Sequence, residues 1–320
     1  MLVEYAGVSP MYGIKTGFNA AFVVDGATRE RLIREDARSE ELIKPYLRGQ
    51  DIDRWVSDWA GQWMIAIASS GDLAWPWSGE KEADEAERAF AATYPAIRKH
   101  LVGYRGALRA RQDQGRFYWE LRSCAYYDKF EVPKIVYNDI MWRPQFCIDR
   151  TGASLNNTAY FLPCDDPWLL ACLNAPLGWW FAWRAAQHAK DEALRYFTTF
   201  VEAFPIAGPE KIDDVHAAVT TLSKIHTDAH EARRLLASWY RQGWDIERIP
   251  DALREPFVLT GDQFIAAIRK ALPRTRRLTA AEIEHIRREY ANNVAPLPEG
   301  WSKRLGTSES WTDWSIALTD

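Results

Sequence analysis

The sequence predicts an α+β protein, in which a mixed or antiparallel β-meander is packed by helices and followed by an α-helical satellite subdomain. Three short runs are rich in β-branched and aromatic residues and predict the strands of the meander: residues 134–139, 145–148 and 158–162. Apolar residues recur at steps of three and four between positions 212 and 236, which predicts one long amphipathic helix in the satellite.

The segments between the predicted strands have the chemistry of turns. Trp142-Arg143-Pro144 separates the first two strands, and a Gly- and Asn-rich segment, residues 149–157, separates the second from the third. Pro133 and Pro144 each precede a strand, where a proline removes no hydrogen bond from the ladder. These positions favour three strands that lie side by side.

Capping signals predict where several helices begin. Asp166 and the proline after it form an N-cap with proline at the first helical position, and the apolar helix that follows is expected to run through Trp183. Thr260-Gly-Asp-Gln and Thr279-Ala-Ala-Glu are capping-box patterns, which predict two more helices. The C-terminal third of the chain is therefore expected to be helical.

Composition and charge limit the possible functions. The chain has 320 residues, of which 47% are hydrophobic, and its 16 tryptophans are expected to be mostly buried rather than stacked on bases. A net charge of −4 argues against a general nucleic-acid binder, because nonspecific affinity depends on Lys and Arg at phosphates. Two windows, residues 98–122 and 266–288, each hold seven Lys or Arg against two acids. Each window is either a solvated helix face or a DNA contact.

The cysteine spacing and the apolar runs together bear on where the protein is located. None of the four cysteines has CxxC spacing or a histidine at zinc-finger distance, so we expect buried, reduced thiols and no metal site or disulfide framework. No apolar leader opens the chain, and its most apolar run, residues 168–183, is too short to span a bilayer. The sequence therefore predicts a cytoplasmic protein without a membrane partner.

Several motifs occur in an order that points to a family. They are, in chain order, GIKTGFNAAFVV, IKPYLRGQDIDRW, YWELRS, FEVPKIVYNDI, PQFCID, LLACLN and RYFTTFVEAFPI. This series resembles the TaqI-like C-terminal specificity (target recognition) domain of type IIG-like restriction enzymes and adenine-specific DNA methyltransferases, over roughly the first two-thirds of the chain. The resemblance implies a DNA target recognition domain at residues 1–207. The shift to amphipathic helical periodicity predicts a helical subdomain at 208–300, and three tryptophans among Ser and Thr mark a Trp-rich C-terminal tail at 301–320.

The catalytic motifs of such enzymes are missing. An adenine methyltransferase needs a Gly-rich turn for S-adenosylmethionine and an (Asn/Asp/Ser)-Pro-Pro-(Tyr/Phe) loop for the extruded base. Ser9-Pro10-Met11-Tyr12 approaches the second motif but lacks its second proline, and no PD-(D/E)xK nuclease pattern is found. We therefore expect no catalytic residue and no cofactor in this chain. S-adenosylmethionine is expected on a catalytic methyltransferase or nuclease partner chain, or on a missing domain.

The resemblance implies that double-stranded DNA is the ligand, and the residue types suggest which side chains contact it. Arg pairs with guanine and Asn with adenine through two hydrogen bonds, so the base-reading candidates are Asn138, Arg143, Asn156 and Asn157. The candidates for phosphate contact are Lys15, Arg116, Arg122, Lys134 and Arg195. For the two adjacent asparagines, and for the segment around Lys15, a purely structural turn is the alternative.

A second interpretation belongs to another functional class. The apolar face of the long helix and the Trp-rich tail could dock a partner protein, with DNA contact only incidental. Salt dependence separates the two interpretations, because a DNA reader loses affinity steeply as salt rises whereas an apolar interface does not.

Overall fold

The computed structural model of the chain describes residues 1–293, so the Trp-rich tail predicted at 301–320 lies outside the described residues. The predicted α+β class is confirmed, with antiparallel sheets in the first part of the chain and long helices in the last. The chain forms two compact units, of which the first spans Met1–His226 and the second begins at Thr227.

Within residues 1–293 the strands are, in chain order, β1 (Met11–Tyr12), β2 (Val23–Val24), β3 (Ile43–Leu47), β4 (Trp63–Ile65), β5 (Lys134–Asn138), β6 (Ile140–Met141), β7 (Phe146–Asp149), β8 (Ser154–Leu155), β9 (Ala159–Leu162), β10 (Gln187–His188) and β11 (Leu194–Arg195). The helices of the first unit are α1 (Leu2–Ala6), α2 (Asn19–Phe22), α3 (Gly26–Glu35), α4 (Ser39–Leu42), α5 (Ala83–Thr93), α6 (Pro95–Val102), α7 (Arg105–Ala110), α8 (Pro167–Asn174), α9 (Pro176–Ala185) and α10 (Thr198–Glu202). The long helix α11 (Ile212–Trp244) is followed by α12 (Asp251–Arg254), α13 (Gly261–Ala271) and α14 (Ala280–Asn293). Short 3-10 turns lie at Gly49–Asp51, Tyr127–Phe130, Lys190–Glu192 and Pro256–Val258.

The three predicted strands are β5, β7 and β9, and each agrees with its expected range to within a residue at either end. They form one antiparallel sheet in the order β1-β9-β5-β7, which we call the first sheet. This order differs from a meander in the strict sense, because β5 pairs with both β7 and β9 while those two do not pair with each other. The strand β1, from the start of the chain, closes the other edge by pairing with β9.

Both faces of the first sheet are buried. Successive side chains of a strand point to opposite faces, and here Val136 joins one hydrophobic cluster while Ile135 and Tyr137 join another. The first cluster is completed by the sheet β2-β4-β3-β8 and helices α5 to α7, and the second by α8 to α10 and the start of α11. Both faces of this sheet are therefore covered by other parts of the chain.

The predicted start of the helix after the first sheet is confirmed, but its length is not. The Asp166 carboxylate accepts hydrogen bonds from the backbone N–H groups of Trp168 and Leu169, as expected of an N-cap. The helix expected through Trp183 is instead two helices, α8 and α9. A proline disfavours helical geometry in the residue before it, and Ala175, which precedes Pro176, is extended.

The second unit contains a hydrophobic cluster of its own, formed by the last turns of α11 with α12, α13 and α14. Helices α13 and α14 begin at the predicted capping boxes: Thr260 and Gln263 exchange hydrogen bonds, and so do Thr279 and Glu282. None of the helices within residues 1–293 combines the length and apolarity needed to cross a bilayer.

Candidate nucleic-acid interface

The register of the first sheet brings several candidate residues to one end. Tyr12 at the end of β1 pairs with Tyr160 near the start of β9, and Asn138 at the end of β5 pairs with Ala159. Phe146, which starts β7, pairs with Tyr137. The segments that follow β1 and β5 and the segments that precede β7 and β9 therefore all lie at the same end of the sheet. We call it the reading end, and it carries Lys15, Asn138, Arg143, Asn156 and Asn157.

A glycine allows the close approach at this end. The backbone of Gly13 donates to the carbonyl of Ala159 at 2.9 Å, and that of Ile14 donates to the carbonyl of Leu155 at 2.7 Å. A Cβ at position 13 would collide with the carbonyl group of Asn156, so only glycine fits there. This contact holds Lys15 beside the turn that carries Asn157.

An open cleft of about 520 Å³ lies at the reading end. Its walls include three of the predicted residues, Lys15, Arg122 and Asn157, together with four tyrosines, Tyr12, Tyr126, Tyr127 and Tyr160. The cleft thus combines two cations, one exposed amide and several aromatic rings. This is the set of groups that contacts phosphates and stacks on bases.

The tyrosines of the cleft wall contact one another and nearby backbone carbonyls. The Tyr12 ring meets those of Tyr126 and Tyr160 edge-on, with centroids 6.0 and 6.5 Å apart. The Tyr126 hydroxyl donates to the carbonyl of Tyr12 at 3.2 Å, and the Tyr127 hydroxyl donates to that of Arg122 at 2.7 Å. Burial raises the pKa of Tyr126, Tyr127 and Tyr160, so all three are neutral phenols at pH 7.

One carboxylate balances the two cations of the cleft. Asp113 lies 2.9 Å from the Lys15 ammonium and 3.4 Å from the Arg122 guanidinium. Its side chain is only 20% exposed, whereas those of Lys15 and Arg122 are 53% and 44% exposed. The carboxylate is therefore less exposed than the two cations with which it pairs, and these three side chains together carry one net positive charge.

Two further candidate arginines are held in the same way. The Arg143 Nη2 atom lies 2.9 Å from Asp53 Oδ1 and 3.2 Å from Oδ2. Arg195 faces Asp139 with two nitrogens, at 2.8 and 3.3 Å. Since Arg195 lies in the pairing of β11 with β6, next to the end of β5, it joins the reading end. Carboxylates that hold arginines fix their orientation in advance of binding.

The three asparagines have different roles. The Asn156 Oδ1 atom accepts from the backbone N–H of Gly49 at 3.2 Å and from the Thr158 hydroxyl at 2.9 Å, so this side chain holds the turn. Asn138 is half-buried, and its amide lies against the backbone of Gly49. Asn157 is exposed and lines the cleft. The Asn156 side-chain oxygen is thus engaged within the turn, while base reading by Asn138 and Asn157 stays a prediction.

Lys134 cannot contact a phosphate in this structure, which corrects the sequence-based expectation. It starts β5 at the opposite end of the sheet and has no exposed surface. Its ammonium lies 2.5 Å from the Asp149 carboxylate and donates to the carbonyl of Phe130 at 2.6 Å. Burial lowers the pKa of Lys134, and the neighbouring Asp149 opposes this shift. The residue is a buried structural ion partner.

Arg116 is exposed but lies away from the reading end. Its guanidinium donates to the backbone carbonyl of Ser78 at 2.7 Å and also to that of Glu80. Its neighbour in the same basic window, Arg111, is buried and donates to the carbonyls of Thr16, Tyr118 and Glu120. This part of the window stabilises loops of the first unit.

Sequence reasoning missed the aspartates and most of the tyrosines of the site. Asp53 lies 90 residues before Arg143, and Tyr126 lies 114 residues after Tyr12, so no local pattern pairs them. The sequence pattern marks Tyr12 only as part of an incomplete catalytic motif. Within residues 1–293, no group of three or more His, Cys, Asp or Glu side chains is placed to hold a metal ion.

Comparisons with known proteins add little. No protein-family model matches the chain, and no curated protein matches it by sequence. Among solved structures, a similar chain is that of the type IIL restriction-modification enzyme MmeI, determined in complex with DNA. It is 12% identical with a TM-score of 0.40, and the match covers 98% of this chain and 35% of the MmeI chain. A likeness this weak carries no conclusion about function, and this chain spans about a third of the length of the other.

Proposed function

We propose that this chain is the target recognition module of a restriction-modification adenine methyltransferase and reads the sequence of double-stranded DNA. The observation that carries the proposal is the reading end, where one end of a doubly covered sheet gathers Lys15, Arg122, Arg143, Asn157 and Arg195. A rigid scaffold that presents convergent polar side chains is what direct readout of base edges requires. The ordered family-like motifs support the same assignment.

The proposed DNA contacts are of two kinds, to base edges and to phosphates. Arg143 and Asn157 are exposed and have the donor and acceptor sets that recognise guanine and adenine in the major groove. Lys15, Arg122 and Arg195 are assigned to phosphates, which position the duplex without reading it. The carboxylates of Asp53, Asp113 and Asp139 hold these cations apart before DNA binds.

The balance of charges at the reading end predicts a moderate affinity for DNA, which is high only at the recognised sequence. Four cations at the reading end face three carboxylates, so nonspecific attraction to DNA is weak. Affinity then depends on how well the base-reading side chains match the sequence. A low nonspecific background is useful to a module that must find one site among many.

Catalysis is assigned to a separate chain or to a domain outside this sequence. The chain carries neither the S-adenosylmethionine turn nor the base-holding loop, so the purified protein should not bind S-adenosylmethionine or methylate DNA. Measurable methyl transfer by this chain alone would contradict that assignment.

The competing interpretation, docking through the apolar face of α11, loses part of its basis. Val215, Val219 and Leu222 on that face pack against the second hydrophobic cluster of the first unit. The start of the helix is therefore occupied by the chain's own core.

Selection from a randomised duplex pool tests the proposal. The chain should enrich a specific sequence, and its affinity should fall linearly with the logarithm of salt concentration. The double variant Lys15→Gln/Arg122→Gln should bind every sequence more weakly, and its salt slope should be shallower by about 1 for each phosphate that the variant no longer binds.

A matched control uses two other exposed cations that also pair with aspartates. Lys129 pairs with Asp128 at 2.9 Å and Arg150 with Asp165 at 2.7 Å, and neither lines the cleft. Lys129→Gln/Arg150→Gln should bind DNA like the wild type. Failure to enrich any sequence, or equal decreases in affinity in both double variants, would refute the proposed function.

A further inference from the structure

The second unit contains a groove that the proposed function does not use. It lies between the last turns of α11 and the segment 247–255 and has a volume of about 570 Å³. Its floor is apolar and its rim is basic. We propose that this groove binds an acidic amphipathic segment of a partner protein, with the apolar face of that segment on the floor and its carboxylates on the rim.

The floor is firmly held by the second unit's own core. Tyr240 and Leu253 are buried in the hydrophobic cluster, and the Tyr240 hydroxyl donates to the carbonyl of Leu253 at 3.0 Å. Leu236 and Ile249 are half-buried beside them and line the groove. A preformed floor of this kind lowers the entropic cost of binding.

The rim is formed by four exposed arginines, Arg233, Arg241, Arg248 and Arg254. Arg254 pairs with the highly exposed Asp251, at 3.2 Å. The side chains of Arg241 and Arg248 make no ion pair within residues 1–293. Two carboxylates, Glu247 and Glu255, also line the groove, so with Asp251 the four arginines stand against three acids, and the excess positive charge lies on the Arg241 and Arg248 side.

The spacing along α11 defines the shape of the partner. Arg233 and Arg241 lie on one face of α11 with Ala237 between them, and Leu236 and Tyr240 lie on the neighbouring face, so two basic side chains flank an apolar strip on one helix. The complementary surface is a helix that carries an apolar stripe beside an acidic one. Charge complementarity sets its orientation and the apolar floor supplies the buried area.

A DNA backbone fits this groove less well. Phosphates gain nothing from an apolar floor, and placing them over Leu236 and Ile249 would cost desolvation. A continuous polyanion would also meet Glu247 and Glu255. A protein segment can place its acids opposite the arginines alone. The groove is therefore independent of the reading end in both ligand and chemistry.

The test measures the binding of a labelled synthetic helical peptide, about five turns long, to the full chain by fluorescence anisotropy. The peptide carries leucine at every fourth position and glutamate on the adjacent stripe. Arg241→Glu/Arg248→Glu should weaken its binding about tenfold or more, and a peptide with serine in place of leucine should bind weakly despite its equal charge. The milder variant Arg241→Gln/Arg248→Gln should give an intermediate decrease, and thermal melting checks the fold of each variant.

The matched control is Arg269→Glu/Arg277→Glu, two exposed arginines of the second unit that do not line the groove. It should bind the peptide like the wild type. Equal binding of the serine peptide, an equal decrease in the control, or unchanged binding in both groove variants would overturn the proposal. A decrease in duplex DNA affinity in the groove variants, with peptide affinity unchanged, would assign the groove to nucleic acid and overturn it as well.

Discussion

The Arg143 guanidinium is held by the Asp53 carboxylate, although 90 residues separate them in the chain. Asp53 lies in a tight turn that is closed by a hydrogen bond from its own backbone N–H to the carbonyl of Val56. Trp55, in the same turn, donates its backbone N–H to the carbonyl of Phe146. The turn is thus tied to the first residue of β7, two positions beyond Pro144. The position of Arg143 is consequently fixed by Asp53, and its other guanidinium nitrogens are available to a ligand.

Replacement of Arg143 by alanine should weaken binding at the preferred sequence by about 1–3 kcal/mol and relax discrimination at one base pair, if the side chain reads a guanine. Selection from a randomised duplex pool, repeated at two salt concentrations, measures both effects. Arg150→Ala is the matched control, since Arg150 is an exposed arginine held by Asp165 beyond the other end of β7. An unchanged sequence profile for Arg143→Ala would rule out base reading by this residue.

Replacement of Asp113 by asparagine should strengthen DNA binding. The variant releases Lys15 and Arg122 from their shared carboxylate, so both cations gain net charge toward phosphates. We expect a salt slope steeper by about 1 and an unaltered sequence profile. Asp165→Asn, which frees Arg150 in the same way, should not change binding. Weaker binding by Asp113→Asn would indicate that Asp113 is needed to shape the cleft.

Replacement of Lys134 by methionine should destabilise the protein by about 3–5 kcal/mol, because it leaves the Asp149 carboxylate buried without its counter-ion. Denaturant unfolding measures the decrease in stability, and Lys134→Met/Asp149→Leu should recover part of it. DNA binding per folded molecule should be unaffected by the single variant. A selective decrease in DNA affinity with unchanged stability would revive the phosphate role that the structure removes.

The free energy of unfolding should decrease at acidic pH, because Glu87 becomes protonated there and loses its ionic contacts. Burial tends to raise the pKa of this carboxyl, but hydrogen bonds from Arg98, Tyr118 and Arg105 outweigh it and hold the pKa below its ordinary value. A carboxyl with a lowered folded-state pKa contributes stability that is present above about pH 4.3 and is lost as pH falls through the folded-state value. Unfolding free energies of the wild type and Glu87→Gln should therefore differ most near pH 7 and converge in acid. A difference that is constant with pH would exclude this ion cluster as the cause.

The existence of the main elements could be predicted because their signals are local. The strands β5, β7 and β9, the N-cap at Asp166 and the capping boxes at Thr260 and Thr279 each depend on residues within a few positions of one another. The amphipathic period of α11 is local in the same sense. Residue type marked nine side chains as suited to DNA contact, and it did so for Lys134 and Arg116 as readily as for Lys15 and Arg122.

Only the tertiary structure decided which of those residues lie together. The pairing of β1 with β9, the order of the first sheet and the burial of Lys134 depend on contacts between distant segments. Lys134 and Lys15 look alike as residue types, yet Lys134 is buried beside Asp149 at the start of β5 whereas Lys15, which follows β1, is 53% exposed. The sequence by itself determined the elements and their chemistry, because propensity, period and capping act over a few residues. Packing between distant segments decided which charges face water, because it encloses Lys134 and Asp149 at one end of the first sheet and leaves Lys15 exposed beyond the other.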